Sequence, residues 1–172
     1  EASEGNEGAE GREWPEGNQS GEAKVRTQSR VALPLNLWRV YAAARRNKQA
    51  QFTALMHHVD VVALERAFRR LKRKASAGVD GETVETYEQN LAGNLKDLCE
   101  RVHTGCYRPR PVRRVYIPKS DGGQRPLGVP ALEDKVVQGA VAEVLSAVYE
   151  VDFLGFSYGF RPGRNPHQAL AA

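Results

Sequence analysis

Cysteine is nearly absent: Cys99 and Cys106 are the only two. Seven residues apart, they match neither a disulfide framework nor a CxxC metal or redox pair, and they read as ordinary thiols of a reducing compartment. No run of 18 apolar residues occurs, and no basic-then-apolar segment opens the chain. Neither a membrane span nor secretion is therefore indicated, and a cytoplasmic protein with no membrane partner is expected. Histidine is sparse too. His57, His58, His103 and His167 form no HExxH motif and have no acid at a suggestive spacing, so they read as surface or packing residues. The carboxylates do not cluster either: Asp121 falls in a turn, Glu133 and Asp134 fall where they would cap a helix, and Asp152 stands alone. No metal site is expected from such a set. Met56 is the only methionine, the first residue is Glu1, and the closing HQALAA opens a helix without a stop signal, so the chain reads as a fragment.

Positive charge is plentiful but unevenly placed. Residues 1–22 carry seven glutamates against one arginine, while the other 150 residues carry 24 Lys and Arg against 14 Asp and Glu. The net charge of +4 therefore hides an acidic end and a body with a balance of +10, which favours polyanionic partners without identifying them. Residues 1–30 are rich in Gly, Glu, Ser, Asn and Gln, with Trp14 as the only aromatic. They bring too little apolar surface to offset the entropy of ordering, and a disordered acidic leader is expected.

The chain's 172 residues at 41% hydrophobic content suffice for a core. From Pro34, the residues Leu35, Leu37, Trp38 and Tyr41 begin a helical periodicity that runs with interruptions to about Met56, with Arg39, Arg45, Arg46 and Lys48 on its polar side. Asp60 is placed to cap a second helix. Its apolar face is Val61, Leu64, Phe68 and Leu71, and Arg66, Arg69, Arg70, Lys72, Arg73 and Lys74 supply the rest. The segment ASAGVDG, 75–81, breaks that helix with a tight loop. Val84, Tyr87, Leu91, Leu95, Leu98 and Val102 then fall at helical spacing, predicting one long helix with Gly105 near its C-cap.

At residue 112 the period changes. Runs 112–117 and 124–129, separated by PKSDGG, predict a β-hairpin with a basic, Gly-rich tip, and Pro126 makes the second strand an edge or a bent one. After Pro130, Val136, Val137, Ala140, Val141, Val144, Leu145 and Val148 predict another amphipathic helix. Residues 153–160 are aromatic-rich, with Phe156 and Phe160 expected to alternate into the core, and Asn165 with Pro166 starts a last helix.

Lys119 at the hairpin tip and Arg125 on its return strand offer a point charge and a planar fork from one small element. That combination suits a triphosphate, although two ordinary surface cations would look the same. The segment YIPKSDGGQRPLGVPALEDKVVQGAVAEVL, 116–145, followed by SYGFRPGR, 157–164, closely resembles the fingers of group II intron reverse transcriptases, also called intron-encoded maturases. GVDG, 78–81, matches the loop that precedes those fingers, and the resemblance covers about residues 35–172. It implies an RNA-directed DNA polymerase that also grips its own intron RNA and helps it fold for splicing. The fold it implies is α+β: a basic helical extension over 31–75, then over 76–172 the hairpin-bearing fingers of a right-hand polymerase, ending before the palm active site.

Carried over by residue, Lys119 and Arg125 resemble the fingers residues that contact the incoming deoxynucleotide's triphosphate, with Gly128 and Pro130 shaping the strand around them. Tyr158, Phe160, Arg161 and Arg164 resemble the segment where fingers meet palm, near the template, where aromatic and guanidinium planes stack on bases. Intron RNA, template RNA and primer DNA are the implied nucleic-acid partners. Arg45, Arg46, Lys48, Arg66, Arg69, Arg70, Arg73 and Lys74 are the candidate RNA contacts on the two basic helices. The resemblance also implies Mg2+ held by palm aspartates, in a strand after SYGFRPGR and in a YADD-type turn, and the 172 residues contain neither. No cofactor or polymerase activity is expected of this portion alone. A non-catalytic RNA-binding splicing cofactor, a decayed remnant, or a retron or CRISPR-associated reverse transcriptase are the alternative readings.

Overall fold

A computed structural model describes residues 33–159, 161 and 163–171. The chain divides into units of residues 1–30 and 31–172, and the described residues belong to the second. The acidic leader and Phe160 lie outside them.

The first helix, α1 (Leu35–Arg46), starts on the carbonyl of Pro34, which accepts from the N–H groups of Leu37 and Trp38 at 2.9 and 3.2 Å. Leu37, Val40 and Ala44 form its buried stripe. It ends ten residues short of Met56, where the periodicity points. Asn47 is extended, with φ −136°, and its side-chain oxygen accepts from the Gln49 N–H at 2.9 Å. A local side-chain bond of this kind offers the backbone an alternative to another helical turn. Helical geometry returns only as a 3₁₀ turn at Met56–His58.

Asp60 caps α2 (Val61–Arg69) as expected, its Oδ1 accepting from the Ala63 N–H at 2.7 Å, and Ala63, Leu64, Ala67 and Phe68 are buried. The run from Val84 to Val102 is not one helix but two, α3 (Val84–Glu88) and α4 (Leu91–His103). At the break, Asn94 Nδ2 donates to the Tyr87 carbonyl at 3.0 Å. In a continuous helix that carbonyl would accept from the Leu91 N–H. Gly105 follows α4 at φ 72°, and the Tyr107 N–H returns to the Arg101 carbonyl at 2.8 Å, so the predicted glycine stop is present.

Strands β1 (Arg113–Pro118) and β2 (Gln124–Val129) pair antiparallel, with Ile117 opposite Arg125 and Tyr116 opposite Pro126. Among the described residues this sheet has two strands, so both are edges and the missing N–H of Pro126 costs no ladder bond. The turn closes with the Lys119 N–H on the Gly123 carbonyl at 2.8 Å and Gly122 at φ 81°.

Helix α5 (Leu132–Tyr149) lies against α1 and α2, and α2 packs on α4. Its Leu132, Val136, Ala140, Val144 and Ala147 join Leu37, Leu64, Phe68, Leu95 and Leu98 in one core. Gly139 lets α2 approach closely, since a Cβ there would stand 3.1 Å from the Ala67 Cβ. Leu145 faces outward instead of joining the apolar stripe, and Phe156, expected inside, is 74% exposed. Its segment, 153–159, is turn and bend and lacks the strand alternation that would send every second side chain inward. The last helix, α6 (Pro166–Leu170), begins with the expected Asn165 cap, reciprocated by Gln168. Helices with one antiparallel hairpin are compatible with an α+β fold.

Leu64 is fully buried between helices, so Leu64→Ala is expected to lower the unfolding free energy by about 2–5 kcal/mol, whereas outward-facing Leu145→Ala should change it by less than about 0.5 kcal/mol. Urea unfolding of the two variants checks the assignment, and equal effects would overturn it.

Candidate nucleotide and nucleic-acid interface

The chain entering the hairpin is tied to the start of α5. Asp134, only 4% exposed, accepts from the Tyr107 hydroxyl and, at 3.2 Å, from the Arg110 N–H. Glu133 accepts from Arg101 Nη2 at 2.7 Å and from the Tyr87 hydroxyl at 3.3 Å. These acids lie in the first turn of α5, but neither caps it. The N-cap is Ala131, without a side-chain bond, and the carboxylates instead bind α3, α4 and the segment leading into β1. Burial, then the neighbouring carboxylates, push the Tyr87 and Tyr107 hydroxyl pKa values up, so both remain donors across the neutral range. Hydrogen bonds to Glu133 and Asp97 hold Arg101 all the more firmly protonated. Sequence alone gave no sign of this cluster beyond the Asp97–Arg101 spacing of four, because Tyr107 and Asp134 are 27 residues apart.

Lys119 and Arg125 are exposed and have no acidic partner among the described residues. Arg125 follows the turn on the strand face that also bears Val115, Ile117 and Leu127. The tip thus offers two free cations on a short β-ribbon.

The basic helices divide into paired and unpaired cations. Buried Glu143 of α5 receives Arg66 at 3.4 Å and Arg70 at 3.2 Å, and Arg66 Nη2 is itself buried without a partner among the described residues. Arg69 pairs with Glu65 at 2.6 Å and Arg73 with Glu88 at 3.1 Å. The last two pairs are largely exposed, and such pairs contribute only about 0–1 kcal/mol, so a phosphate can displace them. Glu143 lies inside the protein, and separating Arg66 from it would strand a buried charge. Arg45, Arg46, Lys48 and Lys74 are exposed with no acidic partner among the described residues.

In SYGFRPGR, Arg161 is 6% exposed. It binds Glu150 at 3.2 Å, donates to the carbonyls of Leu154 and Ser157, and lies 4.9 Å from the Phe153 ring centre. Its guanidinium holds the chain to itself in this structure. Arg164 stacks 5.2 Å from the half-buried Tyr158 ring and reaches the Gly155 carbonyl at 3.3 Å.

His103 Nε2 sits 2.9 Å from the Val59 carbonyl. Burial and the adjacent His57 lower the His58 pKa, against the pull of Asp60. Cys99 is half-buried, and burial raises its thiol pKa, which makes it a poor nucleophile. Among the described residues no group of three or more His, Cys, Asp or Glu is placed to hold a metal. No described helix is long and apolar enough to cross a membrane.

No protein-family model matches the chain. Several curated proteins do. It is 47% identical over 93 residues to Protein YkfC of Escherichia coli, covering 54% of this chain and 24% of that one. It is 37% identical over 105 residues to the group II intron-encoded protein LtrA of Lactococcus lactis, covering 60% and 18%. With a putative COX1/OXI3 intron 1 protein of Saccharomyces cerevisiae it shares 32% identity over 124 residues, covering 72% and 15%. The chain therefore spans a quarter or less of these relatives' own length. These relatives define an intron-encoded protein of the reverse transcriptase and maturase type. The chain belongs to the group II intron-encoded proteins, and its similarity to them extends across bacteria and yeasts.

Tyr107→Phe is expected to cost about 1.5–3 kcal/mol of unfolding free energy, because the buried Asp134 carboxylate loses a charge-assisted bond. Asp134→Ala should cost at least as much. Were Asp134 only a favourable charge at a helix end, Tyr107→Phe would be neutral and Asp134→Ala would cost about 0.3–1 kcal/mol. Chemical denaturation of both variants separates the two roles.

Proposed function

We propose that this chain is the N-terminal and fingers portion of a group II intron-type reverse transcriptase, an RNA-directed DNA polymerase in the whole protein, and that its hairpin grips the triphosphate of the incoming deoxynucleotide. The observation that carries this reading is the pair of exposed cations Lys119 and Arg125, unpaired among the described residues, at the end of a ribbon tied to α5 at its root. Lys119 supplies a compact charge and Arg125 a bidentate fork, and a ribbon with a glycine-rich turn can close on a nucleotide after it arrives. The Mg2+ of such a polymerase would need carboxylates other than these, because Glu133, Asp134 and Glu143 are each committed to Arg or Tyr partners. Arg45, Arg46, Lys48 and Lys74 are the readiest contacts for intron and template RNA, followed by Arg69 and Arg73 after release from their exposed acids. Tyr158 and Arg164 offer a stacked pair to the template.

In the whole enzyme, Arg125→Ala and Lys119→Ala are expected to reduce nucleotide efficiency roughly tenfold to a hundredfold, the equivalent of a lost charge-assisted contact of about 1.5–3 kcal/mol. Primer–template affinity should change little, and Arg125→Lys should recover only part of the loss. Steady-state incorporation across a nucleotide titration, beside primer–template affinities, is the test. Full recovery in Arg125→Lys, or loss confined to template affinity, would make the hairpin a nucleic-acid clamp.

RNA binding should be salt-sensitive, each phosphate contact contributing roughly −0.7 to −0.9 to the slope of log affinity against log salt. Neutralising Arg45, Arg46, Lys48 and Lys74 together should flatten that slope in a salt titration, while Arg70→Gln should barely move it. An unchanged slope in the fourfold variant would remove RNA binding from these helices.

A further inference from the structure

The loop of residues 75–81 meets the hairpin root and the start of α5 at three places. Arg113, the first residue of β1, donates from Nε to the Ala77 carbonyl at 3.0 Å. Lys135, in the first turns of α5, donates from Nζ to the Ser76 carbonyl at 2.6 Å. Between these bonds, Gly78 is pressed onto the backbone that leaves β2: a Cβ there would stand 2.5 Å from the Ala131 Cα, 2.7 Å from its nitrogen and 2.9 Å from the Pro130 oxygen.

The loop's two glycines are present for different reasons. Gly81 adopts φ 72° in open space, so its requirement is conformational, whereas Gly78 faces backbone atoms that no rotamer change can move aside. From these contacts we infer that the loop is a brace that fixes the angle at which the hairpin leaves the helices, with Gly78 and Arg113 as positioning residues for Lys119 and Arg125. That the braced tip grips a nucleotide rests on the function proposed above; the brace itself does not.

A second tie holds the chain just before β1, where the Tyr107 hydroxyl and the Arg110 N–H donate to Asp134 in the first turn of α5. A Cβ at Gly78 must push Pro130 and Ala131 away by about 1 Å to reach ordinary contact. A six-residue strand rising about 3.3 Å per residue makes the hairpin a lever of roughly 20 Å, so the tip moves by more than the root.

The test measures distance and needs no polymerase activity. In the whole chain with Cys99→Ser and Cys106→Ser, spin labels at Ser120→Cys on the tip and Ala142→Cys on the exposed side of α5 report the hairpin angle by pulsed dipolar spectroscopy. The parent should give one narrow distribution. Gly78→Ala should shift or widen it by about 2 Å or more, given that lever. Arg113→Ala, which removes a contact without adding bulk, should widen it too, and Gly81→Asn, which tolerates the left-handed conformation, should leave it unchanged. Should Gly78→Ala fail to fold, Arg113→Ala decides. An unchanged distribution in the folded variants overturns the brace. In the whole polymerase, Gly78→Ala and Arg113→Ala should raise the nucleotide KM about tenfold or more with primer–template affinity preserved, as expected when a contact group is misplaced by an ångström. A tip that moves while that KM stays constant leaves the brace standing and removes the nucleotide grip.

Discussion

A buried carboxylate in the first turn of α5 sets the path of the chain on both sides of it. Asp134 is almost wholly removed from water, and an ionised carboxylate in that position must be given donors. The donors come from the Tyr107 hydroxyl and the Arg110 backbone, immediately before β1. The hairpin must therefore leave the helical layer close to the start of α5, and the return strand, ending at Val129, delivers the chain to that same place. Three residues later the helix begins to fill the core with Leu132 and Val136, so a single turn joins the hydrophobic interior to the root of the ribbon.

The same helix decides which cations are available outside. Glu143, two and a half turns further on, is buried and holds Arg66 and Arg70. Those arginines neutralise an internal charge, and releasing them to a phosphate would leave Glu143 without compensation. Arg69 and Arg73 are held only by exposed acids, and Arg45, Arg46 and Lys48 at the end of α1 by none among the described residues. A helix that reads as a continuous basic stripe is therefore a graded surface, richer in exchangeable charge at its edges than along its seam with α5.

Periodicity made α2 and α5 legible, because each buries one face and spaces its apolar residues accordingly. It failed where a polar side chain competed for the backbone. Asn47 ended α1 early, and Asn94 took the Tyr87 carbonyl and split a run whose apolar spacing is unbroken from Val84 to Val102. Hydrophobic spacing carries no information about such bonds. The two acids at the start of α5 were read as caps because their local position permits it; their real partners, Arg101 and Tyr107, lie 32 and 27 residues away in sequence. The hairpin tip was legible because a turn is local, with Gly122 and Gly123 beside Lys119. The pairing of Arg66 and Arg70 was not, since it spans 77 and 73 residues.

Stiffness at the root and freedom at the tip follow from where the polar partners are spent. Near the root, Asp134, Ala77 and the close approach at Gly78 use side-chain charge, backbone carbonyl and bare van der Waals contact in turn, and each is satisfied only at one ribbon angle. Beyond Arg113 the hairpin's backbone bonds are its own, and residues on both faces of it are exposed up to Val129. A two-stranded ribbon with no third strand or helix over its outer part is marginally stable by itself, and its tip can bend without disturbing the core. An element that must hold two cations ready and then close on a mobile polyanion needs this division: a root precise enough to aim the charges, and an outer part soft enough to move when the ligand arrives.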